Sequence, residues 1–155
     1  MTTTAPGMSA KPVPQVIWFD ESIAEVMVCN PATVCVNDSL RNVQAKMNLA
    51  GVGHLPVLEW GRPVGMVTAR DLARSMVVPI TVLTRQEIEH LLDSPVRWMM
   101  SKPLIALPPQ TPVKVAIRLM IKEDVGSVAV VDPGDGKLLG LVTRSAILKL
   151  VASST

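Results

Sequence analysis

The sequence predicts an α+β fold in which one structural unit is used twice. Three observations carry that expectation. Gly65-Met66-Val67-Thr68-Ala69-Arg70-Asp71-Leu72 recurs as Gly140-Leu141-Val142-Thr143-Arg144-Ser145-Ala146-Ile147. In both copies a Gly-started apolar run ends on a Thr, and the apolar spacing then changes from strand-like to helix-like, which places the Thr where a strand hands over to a helix. Each half also runs through the same order of elements, namely helix, strand, helix, strand, strand, helix.

In the first half, Ser22-Ile23-Ala24-Glu25 has the form of a capping box, with Ile23, Val26 and Met27 on one face of a short helix. Pro31 ends that helix, and Thr33-Val34-Cys35-Val36 is a short strand. Asp38 is the expected cap of a helix whose Leu40, Val43 and Met47 recur at helical spacing, and Gly51 and Gly53 stop it. Leu55-Pro56-Val57-Leu58 and Val64-Gly65-Met66-Val67 are strands joined by a turn at Trp60-Gly61-Arg62, and the next helix starts after Thr68.

A shift of about 73 residues lays Ser94-Pro95-Val96 on the first capped helix, Met100 on Met27, Met120 on Met47 and Val125-Gly126 on Val52-Gly53. Thr111 takes the place of Asp38 as cap, with Pro112 at the first helical position, where its missing N–H costs nothing. Asp132 and Asp135 bracket a lengthened turn without the acidic positions of a calcium loop, and the later offset becomes about 75. The expected division is a flexible tail over 1–20, a first unit over 21–77, a connector over 78–93 and a second unit over 94–155. Within the connector, Thr84-Arg85-Gln86-Glu87 is another capping box and leads into a helix with Ile88, Leu91 and Leu92 on one edge, packed on the same chain or on a second copy.

Composition narrows the function. With 155 residues, 48% hydrophobic and 18% charged, the chain is globular, either one ordinary domain or two very small ones sharing a core. The run from Met76 to Ile80 is far short of the roughly 20 residues of a spanning helix, so no membrane insertion is expected. The start lacks a charged region followed by an apolar stretch, so it reads as a tail rather than a signal peptide, and the cytoplasm is the expected location. Cys29 and Cys35 lack the paired spacing of a zinc site and fall around a strand, which predicts buried, reduced thiols. No metal-site pair of His or Cys is present, and His90 in the connector helix is expected at the surface. A net charge of +2, three Trp, one Phe and no Tyr argue against nucleic acid. No Ser, His and acid set suggests an activated nucleophile, so no catalysis is expected. Most Met residues are core fillers, while Met99 and Met100 beside Trp98 are candidates for an exposed dimer surface.

The repeat, with its Gly-hydrophobic-Val-Thr-x-x-Asp ending and its Leu-Pro-Val strand, resembles a pair of CBS domains, the arrangement called a Bateman module, over about residues 21 to 150. The resemblance implies two pseudo-symmetric β-α-β-β-α units packed sheet to sheet, with two clefts that take adenosine-containing ligands. It implies ribose and phosphate contacts at Thr68 and Asp71, a phosphate contact at His54, and Thr33 on the adenine side. In the second unit it points to Thr143 and Ser127, while Ala146 stands where the Asp should be. A carboxylate accepts from both vicinal ribose hydroxyls and a methyl group from neither, so one good and one weak site are expected, with Ser145 as a partial substitute.

Physical chemistry agrees in part. The start of the helix after Thr68 favours an anion, and Arg70 adds a charge-assisted contact. The same spacing is also that of an ordinary helix cap, although Thr143 keeps the cap without an Asp. His54 is expected to carry partial charge near neutral pH and to hold phosphate as imidazolium, or else to be an ordinary strand-end histidine. The expected function is a regulatory module that senses AMP, ADP, ATP or another adenosyl ligand, with no obligatory cofactor, in a homodimer that acts on an unidentified protein target. The alternative is a constitutive dimerisation module with vestigial sites.

Overall fold

The computed structural model describes residues 20–101 and 104–153, with the side chains of 77–81 outside the description. The expected tail therefore lies almost wholly outside the described residues, and beyond Met76 the apolar run is described by its backbone alone. Elements follow in the order β1 (Val28–Cys29), β2 (Val34–Cys35), α1 (Leu40–Ala50), β3 (His54–Glu59), β4 (Arg62–Thr68), α2 (Ala69–Val82), α3 (Arg85–Leu92), β5 (Ala106–Leu107), α4 (Val113–Glu123), β6 (Ser127–Val131), β7 (Leu138–Thr143) and α5 (Arg144–Ser153). Single 3₁₀ turns at Ile23–Glu25 and Val96–Trp98 precede the two units.

Two small sheets carry the repeat. In the first, β2 runs parallel to β3 and β3 antiparallel to β4; in the second, β5 runs parallel to β6 and β6 antiparallel to β7. Apolar alternation turns Leu55, Val57 and Val67 into one core, together with Leu40, Val43 and Met47 of α1. Val128, Val130 and Val142 build the other, with Val113, Ala116 and Met120 of α4. Among the described residues, no helix is long and apolar enough to cross a membrane.

The lead segment of each unit does not stay with its own sheet. β1 pairs antiparallel with β7, Val28 opposite Leu141, and Ile23 is buried in the second core. Reciprocally, Ser101 bridges Met66 on β4, while Val96 and Met100 are buried in the first core. The hydrogen bonds repeat too: Ile23 N–H donates to Thr111 O at 2.8 Å, and Val96 N–H to Asp38 O at 2.8 Å. This exchange explains why the shared motif starts on glycine. A Cβ at Gly140 would lie 2.5 Å from Met27 Sδ, and one at Gly65 2.7 Å from Met100 Sδ, so the arm's thioether occupies the space that a side chain would need.

Several local expectations are corrected. Ser22 makes no side-chain cap, and its helix is a single 3₁₀ turn followed by the unpredicted β1. Ser39, not Asp38, caps α1 by accepting from Asn42 N–H at 3.1 Å, while the Asp38 carboxylate accepts from Cys35 N–H. Pro112 is itself the cap residue of α4, and Thr111 Oγ1 donates to Pro108 O instead. Both cysteines are exposed free thiols rather than buried ones: Cys35 takes the outward position opposite the buried Val34, and both residues of β1 are exposed. Met100 is buried against Gly65, so of the expected surface group only Trp98, 77% exposed, projects strongly.

The connector helix α3 does form, with its Thr84–Glu87 capping box complete. It packs on the first unit, where Leu91 reaches the core and Arg41 of α1 pairs with Glu89 and Asp93. Gly51 ends α1 in the left-handed conformation, and the Trp60-Gly61 turn also takes positive φ at both residues. Asp132 accepts from the Gly134 and Asp135 N–H groups, forming the expected turn.

Candidate functional site

A cleft of about 540 Å³ opens where β4 hands over to α2, and both units line it. From the first unit come His54, Thr68, Arg70, Asp71 and Arg74; from the second come Leu104, Ile105, Glu123, Asp124, Ser127 and Arg144. A smaller hollow of about 300 Å³ between α1 and α2, lined by side chains such as Leu40, Met47, Leu72 and Leu92, holds none of the expected residues.

The Thr-x-x-Asp spacing produces a reciprocal cap. Thr68 Oγ1 accepts from Asp71 N–H at 3.1 Å, and Asp71 Oδ2 accepts from Thr68 N–H at 2.9 Å. The ordinary-cap reading is thus realised, yet it uses only one carboxylate oxygen, and the half-buried Asp71 still lines the cleft. Ala69 N–H donates to Gly53 O at 2.9 Å, which leaves the Arg70 N–H at the second helical position without an intrahelical acceptor. The helix start therefore offers an anion fewer free N–H groups than the sequence suggested, and charge must come from side chains. In the second unit Thr143 Oγ1 accepts from Ala146 N–H at 3.0 Å, so the cap survives there without a carboxylate.

His54 and Ser127, related by the repeat, meet in the lining of the cleft. Ser127 Oγ lies 3.0 Å from His54 Nδ1, and Ser127 is the buried polar residue of the described core. The fit is close, since a Cβ at Gly126 would come within 2.9 Å of the His54 ring. Burial first, and then the positive charge of Arg144, lower the His54 pKa, against a smaller opposing pull from Asp71. His54 is therefore neutral near pH 7, contrary to the expectation of partial positive charge. With Ser127 donating to Nδ1, the ring would present Nε2–H as a neutral donor.

The structure brings together His54, Thr68, Arg70, Asp71 and Ser127 in this cleft, and leaves Thr33, Thr143 and Ser145 outside its lining. Thr33 sits before β2, and the corresponding lead-in before β5, Leu104 and Ile105, lines the cleft together with Asp71. The first motif thus shares its cleft with the lead-in strand of the second unit, whereas the sequence reading had paired motif and lead-in within one unit. Arg74, Arg144, Glu123 and Asp124 were missed. Arg74 was findable as the residue one helical turn beyond Arg70, whereas Arg144 depends on packing between the units.

Among the described residues, no group of three or more His, Cys, Asp or Glu side chains is placed to hold a metal ion. The cleft instead offers carboxylates, guanidinium groups, a neutral imidazole and the apolar Met66, Leu104 and Ile105, a set suited to reversible binding of a polar ligand with one flat apolar face.

Comparison with known proteins places this geometry. The family model for the CBS domain matches residues 23–78 and 96–153. An uncharacterized protein of Methanocaldococcus jannaschii is 34% identical over 142 residues, covering 88% of this chain and 33% of that protein. Two further relatives, from Methanopyrus kandleri and M. jannaschii, are covered over 62% and 41% of their length, so the chain spans about one third to three fifths of these curated relatives. Among solved structures, the CBS domain pair of protein MJ0100 in complex with 5′-methylthioadenosine and S-adenosyl-L-methionine aligns with TM-score 0.73 and 21% identity, over 86% of this chain and 98% of that one. CBSX2 in complex with AMP aligns with TM-score 0.71 and 22% identity, over 86% and 98%. At these identities the structural likeness establishes the fold.

Proposed function

We infer the function from the premise that this chain belongs to the CBS domain family: it is a regulatory, non-catalytic module whose cleft between the two units binds an adenosine-containing ligand. The observation that carries the reading is the half-used carboxylate of Asp71. One oxygen completes the helix cap, and the other is left to accept from ribose hydroxyls in a cleft that both units line. The ligand's anionic group lies toward Arg70 and Arg144, its sugar on Thr68 and Asp71, and its base against Leu104 and Ile105. His54 contributes a neutral N–H rather than a charge. The fold neighbours solved with 5′-methylthioadenosine, S-adenosyl-L-methionine and AMP support the ligand class.

Binding shifts the relative placement of the two units only to the extent that the ligand prefers one arrangement. That shift is passed on through a homodimer to a protein target. The junction at Ala146, capped but without its carboxylate, favours a second reading in which nucleotide binding is vestigial and the module only dimerises.

Thermal unfolding with AMP, ADP, ATP, S-adenosylmethionine, NAD and a cyclic di-adenosine nucleotide separates the two readings. A ligand at about 100 times its dissociation constant should stabilise the protein by about 2.7 kcal/mol. No stabilisation by any of the six would reject sensing of this ligand class and leave the dimerisation reading.

A further inference from the structure

We propose that the cleft is charge-balanced, and that it therefore selects an adenosyl ligand bearing one compact anionic group over the corresponding polyphosphates; this rests on the adenosyl reading above. The described lining holds three guanidinium groups, Arg70, Arg74 and Arg144, and three carboxylates, Asp71, Glu123 and Asp124. Among the described residues, no ion pair joins any of these cations to any of these acids. They line one cleft without pairing directly, and Asp71 stands on α2 between Arg70 and Arg74. His54, its pKa lowered by burial and by Arg144, adds no positive charge.

The helix ends add to both signs. α2 and α5 begin at the cleft with Arg70 and Arg144 in their first turns, so two positive helix ends and two guanidinium groups line it, with Asp71 beside Arg70. α4 ends at the cleft with Glu123 as its last residue and Asp124 as its cap, so a negative helix end and two carboxylates line it as well. Three cations against three carboxylates leave no surplus of positive charge for more than one anionic group. In a space of about 540 Å³ that must also hold a nucleoside, each further phosphate adds negative charge near Asp71, Glu123 and Asp124.

Arg144 is the residue that the repeat would not supply. Its counterpart after Thr68 is Ala69, which lines the same cleft, so this cation arrives from the second unit with no equivalent at that position in the first. It provides the charge that a neutral His54 does not.

The test is calorimetric titration of the whole chain, in magnesium-free buffer with EDTA, against adenosine, AMP, ADP and ATP. The wild-type chain should bind AMP at least about tenfold (1.4 kcal/mol) more tightly than ATP. The double variant Glu123→Gln/Asp124→Asn should bring that ratio to within about threefold by tightening ATP. Asn suits the left-handed backbone at position 124, φ 51°, so the α4 terminus is retained, which circular dichroism would verify. Arg144→Gln should weaken AMP about tenfold and leave adenosine unchanged. ATP binding as tightly as AMP to the wild type, or a ratio unmoved by the double variant, would overturn the charge balance while the adenosyl reading stands. Absence of binding by all four would remove the charge balance, and the adenosyl reading would fall with it only if S-adenosylmethionine, NAD and the cyclic di-adenosine nucleotide also gave no stabilisation.

Discussion

Replacing Asp71 with Ala converts the first strand-to-helix junction into the second, and this makes the two roles of the carboxylate separable. The structural role is the bond from Thr68 N–H to Asp71 Oδ2 at 2.9 Å. The second unit lacks it and still caps α5 through Thr143, so its loss should cost no more than an ordinary net hydrogen bond, about 0.5–1.5 kcal/mol. The ligand role involves two ribose hydroxyls donating to a charged acceptor, for which about 1.5–3 kcal/mol in all is a suitable figure at a half-exposed site. That corresponds to about a ten- to hundredfold loss of affinity. Titration of wild type and Asp71→Ala with AMP and 2′-deoxy-AMP, together with urea unfolding, reads both quantities. The wild type should prefer AMP and the variant should not distinguish the two ligands. An affinity loss below about threefold, or an undiminished preference for AMP in the variant, would refute the ribose assignment.

Three further outcomes follow from the same geometry. Because the folded chain holds the His54 pKa below its ordinary value, mainly through burial and then through Arg144, the unfolded chain takes up that proton first; stability is full above about pH 6.5 and falls as the pH drops below it. His54→Gln should flatten the wild-type slope below that pH in unfolding free energy, and an identical slope in both proteins would contradict the burial argument. Gly140→Ala should destabilise by about 1–3 kcal/mol, and by more than Gly65→Ala, because the added methyl meets the backbone oxygen of Val28 at 2.8 Å, where Gly65 meets that of Ser101 at 3.1 Å. Equal denaturation midpoints for the two variants would count against that steric ranking. Ser127→Ala should cost about 1–3 kcal/mol by leaving His54 Nδ1 without its partner, and an unchanged unfolding free energy would mean that the pair adds nothing to the fold.

The parts of the fold that the sequence made legible are those whose causes are local. The 3.6-residue spacing of Leu40, Val43 and Met47, the Thr84–Glu87 box and the Gly51 stop each act within a few residues, and each is found where the pattern put it. Caps were misplaced by one residue where two adjacent polar side chains competed, as at Asp38 and Ser39, since either can accept from a helix N–H. β1 was missed because two residues cannot display a period of two, and its partner β7 lies far along the chain. The candidate site divides along the same line. Thr68 and Asp71 are near neighbours in sequence and were readable as a pair, whereas the meeting of His54 with Ser127, and the arrival of Arg144, depend on how two units face one another. Thr33 lies outside the lining of this cleft, and the strand lead-in that lines it with Asp71 belongs to the other half of the repeat.

The exchanged lead segments make this chain a domain swap folded back on itself. Ile23 and Met27 complete a core that begins some eighty residues later, and Val96 and Met100 complete one already laid down, so neither half is a self-sufficient folding unit. The stretch between the two units, α3 included, then sets more than spacing. Its reach lets the second lead segment close on its own chain, and a connector cut too short for Val96 to reach the first core would leave exchange between two chains as the way to fill both cores.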